Sequence, residues 1–89
     1  MRLLMFSIFD TKTRVFLVPF PARSDVDAQR QLSADKDNPQ IKATPIGQNP
    51  KDFELYSVGE FEDETGVLTP CVPRFIAKIA DLFTSTVPS

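Results

Sequence analysis

The first twenty residues, MRLLMFSIFDTKTRVFLVPF, hold two apolar runs separated by a polar stretch, Asp10-Thr11-Lys12-Thr13. This pattern predicts a β-hairpin with Asp10 at the first position of a type I turn. Pairing Asp10 with Thr13 sets Phe9 opposite Arg14, and the two-residue period of a strand then sorts the side chains. Leu4, Phe6, Ile8, Val15 and Leu17 fall on one face, wholly apolar and the expected core. Leu3, Met5, Ser7, Phe9, Arg14, Phe16, Val18 and Phe20 fall on the other, which one hydroxyl and one guanidinium interrupt. A ribbon apolar on both sides needs cover on both. The rest of the chain supplies one cover. The Arg14 face is left for a helix, a partner subunit or a ligand.

Beyond the hairpin, Pro19 and Pro21 predict an end to strand pairing and an extended exit. Ser24 is a good N-cap, with Asp25 and Asp27 in the first turn of a helix expected to run to about residue 34 or 35. Its apolar residues are few (Val26, Ala28, Leu32, Ala34), so it should lie on a surface. Residues 35–52 hold three prolines and one glycine and read as a long loop. FELYSVGEF, residues 53–61, alternates as a strand, with Gly59 marking a bulge. Residues 62–66 form a turn. Val67, Leu68 and Thr69 begin a returning strand that Pro70 limits to an edge. From Pro73 onward, Phe75, Ile76, Ile79, Leu82 and Phe83 recur at helical spacing, predicting a helix that covers one sheet face or seams a dimer. Residues 84–89 should fray. The expected architecture is a single α+β domain over 1–89, with a four-stranded, mainly antiparallel sheet in the order β-β-α-loop-β-β-α.

The chain has no histidine and one cysteine, Cys71. Neither a Ser-His-Asp triad nor a histidine-based zinc site can be built, and no intrachain disulfide can form. The glycines are too scattered for a phosphate loop. Asp10, Asp52 and Glu54 are available as acids, but nothing in their spacing sets a catalytic pair. We therefore expect no enzyme activity and no cofactor or metal. The longest apolar runs are too short to span a bilayer.

The formal net charge is −2, which argues against a generic basic DNA coat but not against a local basic face. Residues 52–64 carry six carboxylates and no Lys or Arg, whereas Arg2, Lys12, Arg14, Arg23, Arg30 and Lys36 lie in the first half. The acidic run reads as a solvated hairpin tip, a phosphate mimic, or one partner in a head-to-tail contact between copies.

Two blocks, FSIFDTKTRVFLVPFPARSDVDAQRQL and NPKDFELYSVGEFEDETGVL, occur in order and at a spacing that resembles the small nonstructural protein of gokushoviruses. These are the single-stranded-DNA phages of the Microviridae. The matching positions include Ser7, Phe9, Asp10, Lys12, Pro19, Phe20, Ala22, Arg23, Asp25, Pro50, Asp52, Phe53, Gly59, Glu60, Phe61, Thr65 and Gly66. The chain departs from the family pattern at Gln48-Asn49, where a histidine is expected. The resemblance implies a nonstructural phage protein of the host bacterial cytoplasm, handling single-stranded DNA during genome replication or packaging. Single-strand binders combine aromatic platforms with a basic track. Phe9, Arg14, Phe16 and Phe20, flanked by Lys12 and Arg23, are the candidate nucleic-acid-binding residues, and a homodimer or higher homo-oligomer is the expected state. The competing reading is a protein-interaction adaptor for a phage replication protein or a host replication factor, with no DNA affinity.

Overall fold

In the computed structural model, residues 1–84 are described. Strand β1 (Arg2–Asp10) is central. It pairs antiparallel with β4 (Phe53–Glu62) on one side. On its other side it pairs with two short strands in succession, β2 (Val15–Phe16) and β3 (Phe20–Ala22). Strand β5 (Val67–Lys78) pairs with β4 and forms the far edge. The sheet is therefore four strands wide and antiparallel, with one edge strand broken between Phe16 and Phe20. Helices α1 (Asp25–Ala34), α2 (Pro39–Lys42), α3 (Pro45–Gln48) and α4 (Ile79–Thr84) complete the α+β fold.

The first hairpin closes two residues wider than the turn chemistry predicts. Asp10 pairs with Val15, and Phe9 pairs with Phe16 rather than Arg14. Arg14 instead ends the turn in the left-handed region, at φ 62°, with its N–H donating to the Asp10 carbonyl at 2.7 Å. A two-residue slip preserves the faces, because side chains alternate with period two. Phe6 and Ile8 are accordingly buried, as the alternation predicts. Val15 and Leu17 stay exposed, because they sit on the edge beyond the helices' reach.

Phe20 is a correction. Opposite β1, β2 keeps the register Phe9–Phe16, whereas β3 keeps Phe6–Phe20 and Leu4–Ala22. The chain advances one residue too many across the Leu17–Pro19 break, and a one-residue slip turns every following side chain over. Phe20 therefore packs on the core face, 6.1 Å from Phe6 between ring centroids, and not on the Arg14 face. Nor do the prolines end pairing, since Pro21 itself lies opposite Met5.

The segment from Pro73 is a second correction. Residues 73–78 extend β5 and only Ile79–Thr84 is helical. Cross-strand pairing with β4 overrides the helical spacing of Phe75, Ile76 and Ile79: Tyr56 faces Phe75, Leu55 faces Ala77, and Ile76 is the extra residue of a bulge between them. Residues 35–52, expected as a loop, are instead short helical turns. Two of them are capped by Asn38 and Thr44 and begin with Pro39 and Pro45, where a missing N–H costs nothing. The fraying expected for 84–89 lies, apart from the backbone of Thr84, outside the described residues.

All helical cover lies on one side. The core joins Phe6 and Ile8 of β1, Phe53 and Leu55 of β4, Ala22, Ala28 of α1, and Ile79 and Leu82 of α4. Ser33 Oγ ties α1 to α4 through the Leu82 carbonyl at 3.2 Å. The Arg74 guanidinium reaches the Asp25 carboxylate at 3.1 Å, linking β5 to the start of α1. Thr11 donates through both N and Oγ1 to the Asp52 carbonyl, at 2.9 and 2.7 Å, anchoring the hairpin tip.

Truncating Leu55, fully buried at the sheet centre, to alanine is expected to cost about 2–5 kcal/mol, measured by urea denaturation. Ser24 accepts the Asp27 N–H as the cap of α1, and Ser24→Ala is expected to cost about 1 kcal/mol in the same experiment.

Candidate nucleic-acid interface

The second face of the sheet lies opposite the helical core, and its outermost rings meet solvent. Across it runs a row of rings, one from each of β2, β1, β4 and β5. Phe16 of β2 and Phe9 of β1 lie 4.7 Å apart between centroids, tilted at 45°. Tyr56 of β4 stands edge-on to both, at 6.0 Å from Phe9 and 5.5 Å from Phe16. Phe75 of β5 follows, edge-on to Tyr56 at 5.8 Å. Edge-to-face and tilted geometry is the arrangement aromatic rings prefer, worth about 0.5–1.5 kcal/mol per pair beyond burial. The two outer rings are open, with Phe16 40% and Phe75 50% exposed, while Phe9 and Tyr56 are half-buried between them.

The sequence builds this row by register. Phe9 and Phe16 are brought together by the wide turn, and Tyr56 and Phe75 by the Ile76 bulge. Ser7, opposite Tyr56, is buried but satisfied, its Oγ donating to the Leu17 carbonyl at 2.6 Å. Glu54 lies opposite both Phe9 and Lys78 in the ladders. Its Oε1 accepts the Tyr56 hydroxyl at 3.1 Å. Burial first, and this bond to a carboxylate second, push the Tyr56 phenol above its ordinary value.

Cations flank the row at both ends. Lys12 and Arg14 sit in the exposed tip beyond Phe9 and Phe16, and Lys78 lies three residues from Phe75 on β5. None of the three makes an ion pair among the described residues. At the tip, partial desolvation raises the Asp10 carboxyl, but the N–H groups of Lys12 and Thr13, at 2.9 and 3.3 Å, outweigh it and hold it below its ordinary value.

Of the six residues expected to form the site, Phe9 and Phe16 belong to the row, and Lys12 and Arg14 stand at its end. Phe20 belongs to the opposite face, and Arg23 precedes α1, where its N–H donates to Asp27 Oδ2 at 3.1 Å. Tyr56, Phe75 and Lys78 were missed. The alternation of residues 53–61 places Tyr56 on a strand, but no local signal pairs it with Phe9, and the helical spacing around Phe75 conceals a strand. Among the described residues, no group of His, Cys, Asp and Glu could hold a metal ion, and no helix is long and apolar enough to cross a membrane.

The model of one protein family, the phage ORF5 protein, matches residues 3–82. The chain belongs to that family. No curated protein and no solved structure matches it. Apart from Arg2, the family match covers all five strands, and it takes in most of α4, so each ring of the row falls within family sequence.

The raised Tyr56 phenol has a consequence for stability. A group whose folded pKa is raised contributes stability below its unfolded value and loses it as pH climbs through the folded value. Absorbance titration of this single tyrosine is expected to give a midpoint above 10.0, lowered by Glu54→Gln, with stability falling over the same alkaline range. The Asp10 carboxyl behaves oppositely. Its support of the turn is present above the ordinary carboxylate range and lost on acidification. The amide resonances of Lys12 and Thr13 should titrate with a midpoint below 3.8.

Proposed function

We propose that this phage protein binds single-stranded DNA, without catalysis, by stacking bases on the open row of Phe16, Phe9, Tyr56 and Phe75. The observation that carries the reading is the row itself: four rings spanning the sheet face opposite the helical core. Stacking tolerates any base, because every base has a π-face, and contributes roughly 1–3 kcal/mol per base. Lys12 and Arg14 at one end and Lys78 at the other supply phosphate contacts where a strand would enter and leave. Glu54, in the middle of the row, disfavours backbone phosphate there and directs the bases, rather than the phosphates, onto the rings. Arg23 and Phe20 take no part in this reading.

The resemblance to the nonstructural protein of gokushoviruses gives the reading its biological setting. Such a protein would act on the single-stranded genome during replication or packaging in the host cytoplasm. The acidic overall balance fits a binder that relies on stacking more than on counterion release. With about three phosphate contacts, the slope of log affinity against log salt should be shallow, roughly −2.

Fluorescence anisotropy with a labelled oligonucleotide at low salt tests the proposal. Phe16→Ala and Phe75→Ala are each expected to weaken binding by about fivefold or more, and Arg14→Glu to weaken it further at low salt than at high salt. Both rings are exposed, so both variants should retain the wild-type circular dichroism. Absence of binding, or binding indifferent to all three substitutions, would contradict it.

A further inference from the structure

The ring row holds one group that a stacking surface does not call for. Across Val15–Phe16 of β2, Ser7–Phe9 of β1, Glu54–Tyr56 of β4 and Phe75–Lys78 of β5, the only carboxylate is Glu54. It lies directly opposite Phe9 on one side and Lys78 on the other, and two residues from Tyr56 on the same face. A negative charge here repels the phosphates of any strand bound to the rings, and half-burial adds a desolvation cost. The Tyr56 hydroxyl does not require it, since the neutral amide of a glutamine would accept the same hydrogen bond. The hydroxyl does fix where the carboxylate points. A phenol has one proton to give, and that of Tyr56 goes to Glu54 Oε1 at 3.1 Å. Among the described residues Glu54 makes no ion pair, and its Oε2 accepts no hydrogen bond.

We propose that Glu54 sets a base preference for the row: it selects guanine among the bases stacked there, accepting that base's N1–H and N2–H groups. This rests on the stacking reading above. Bases of a single strand have free Watson–Crick edges, and a carboxylate only accepts, so it discriminates by the donors it meets. Guanine alone presents two adjacent N–H donors on that edge, matching the two oxygens of a carboxylate. Cytosine and adenine present one amino group beside a ring-nitrogen acceptor. The single N–H of thymine lies between two carbonyls, which the negative charge repels. Oε1 can take a second donor beside the Tyr56 hydroxyl, because each carboxylate oxygen carries two lone pairs. A base on Phe9 or Phe75 is within one ladder step of Glu54, the range over which long side chains meet across a sheet. The Ile76 bulge also brings Lys78 onto this face, opposite Glu54. Its cation offsets the repulsion between the carboxylate and the backbone phosphates. The Tyr56 hydroxyl thus acts as a positioning group, and Glu54 as the group that touches the base.

The test is fluorescence anisotropy of the full chain at low salt with two labelled oligonucleotides, one alternating thymine with guanine and one alternating thymine with hypoxanthine. The two purines stack alike, and hypoxanthine lacks only the N2 amino group. The wild type is expected to bind the guanine strand about tenfold more tightly, the worth of one hydrogen bond to a charged group. Glu54→Gln is expected to bring the two affinities together and, with the charge removed, to tighten binding of the hypoxanthine strand. Tyr56→Phe keeps the ring but releases the carboxylate, and should narrow the guanine preference part-way. Circular dichroism of both variants should match the wild type. Equal wild-type affinity for the two strands, with Phe16→Ala still weakening both, would overturn the guanine selection while leaving the stacking reading in place. A guanine preference that survives Glu54→Gln would overturn it as well. Binding of neither strand would overturn both readings together.

Discussion

Cover on one side of the sheet only is the constraint from which the rest follows. Among the described residues, α1 and α4, joined by Ile46 of α3, pack on the same side of the sheet, over Phe6, Ile8, Phe53 and Leu55. The sheet is nevertheless apolar on both surfaces, because Phe9, Phe16, Tyr56, Phe75 and Met5 occupy the other. Large exposed apolar patches of that kind mark interaction sites.

Three departures from regular strand geometry decide which rings reach that surface. The extra residue across Leu17–Pro19 rotates Phe20 into the core while leaving Phe16 outside. The bulge at Ile76 places Phe75 opposite Tyr56. The bulge at Val58 brings Gly59 opposite Met5 and Pro70, where the absent Cβ lets β5 approach closely. The first two, and the Val58 bulge as it meets β1, are single-residue events, and each changes the face on which everything after it appears.

This explains what could be read from the sequence and what could not. Alternation in residues 3–9 and 53–57 identified both central strands and sorted their faces correctly, even with the hairpin register misjudged by two residues. Ser24 marked the start of α1 through its side-chain cap. The limits of β5 were not legible, because Phe75, Ile76 and Ile79 satisfy helical spacing and only the long-range partner Tyr56 turns that stretch into a strand. Phe20 was misplaced for a related reason: sequence period alone carries no trace of a residue inserted at a break. Half of the candidate row, Phe9 and Phe16, was therefore visible in advance. Tyr56 and Phe75 join it only through pairings between residues far apart in the chain.

Charge is distributed differently at the two ends of β1. Near the rings, Lys12, Arg14 and Lys78 make no ion pair among the described residues, whereas at the far end of β1 the terminal ammonium is shared by Glu62, Asp63 and Glu64, and Arg2 pairs with Glu60. The most direct measurement is an amide and aromatic NMR titration of the full chain with a short single-stranded oligonucleotide. The account requires shifts concentrated at Phe9, Phe16, Tyr56 and Phe75, with α1 and α4 silent. Shifts gathered on the helical side, or none at saturating oligonucleotide, would contradict it.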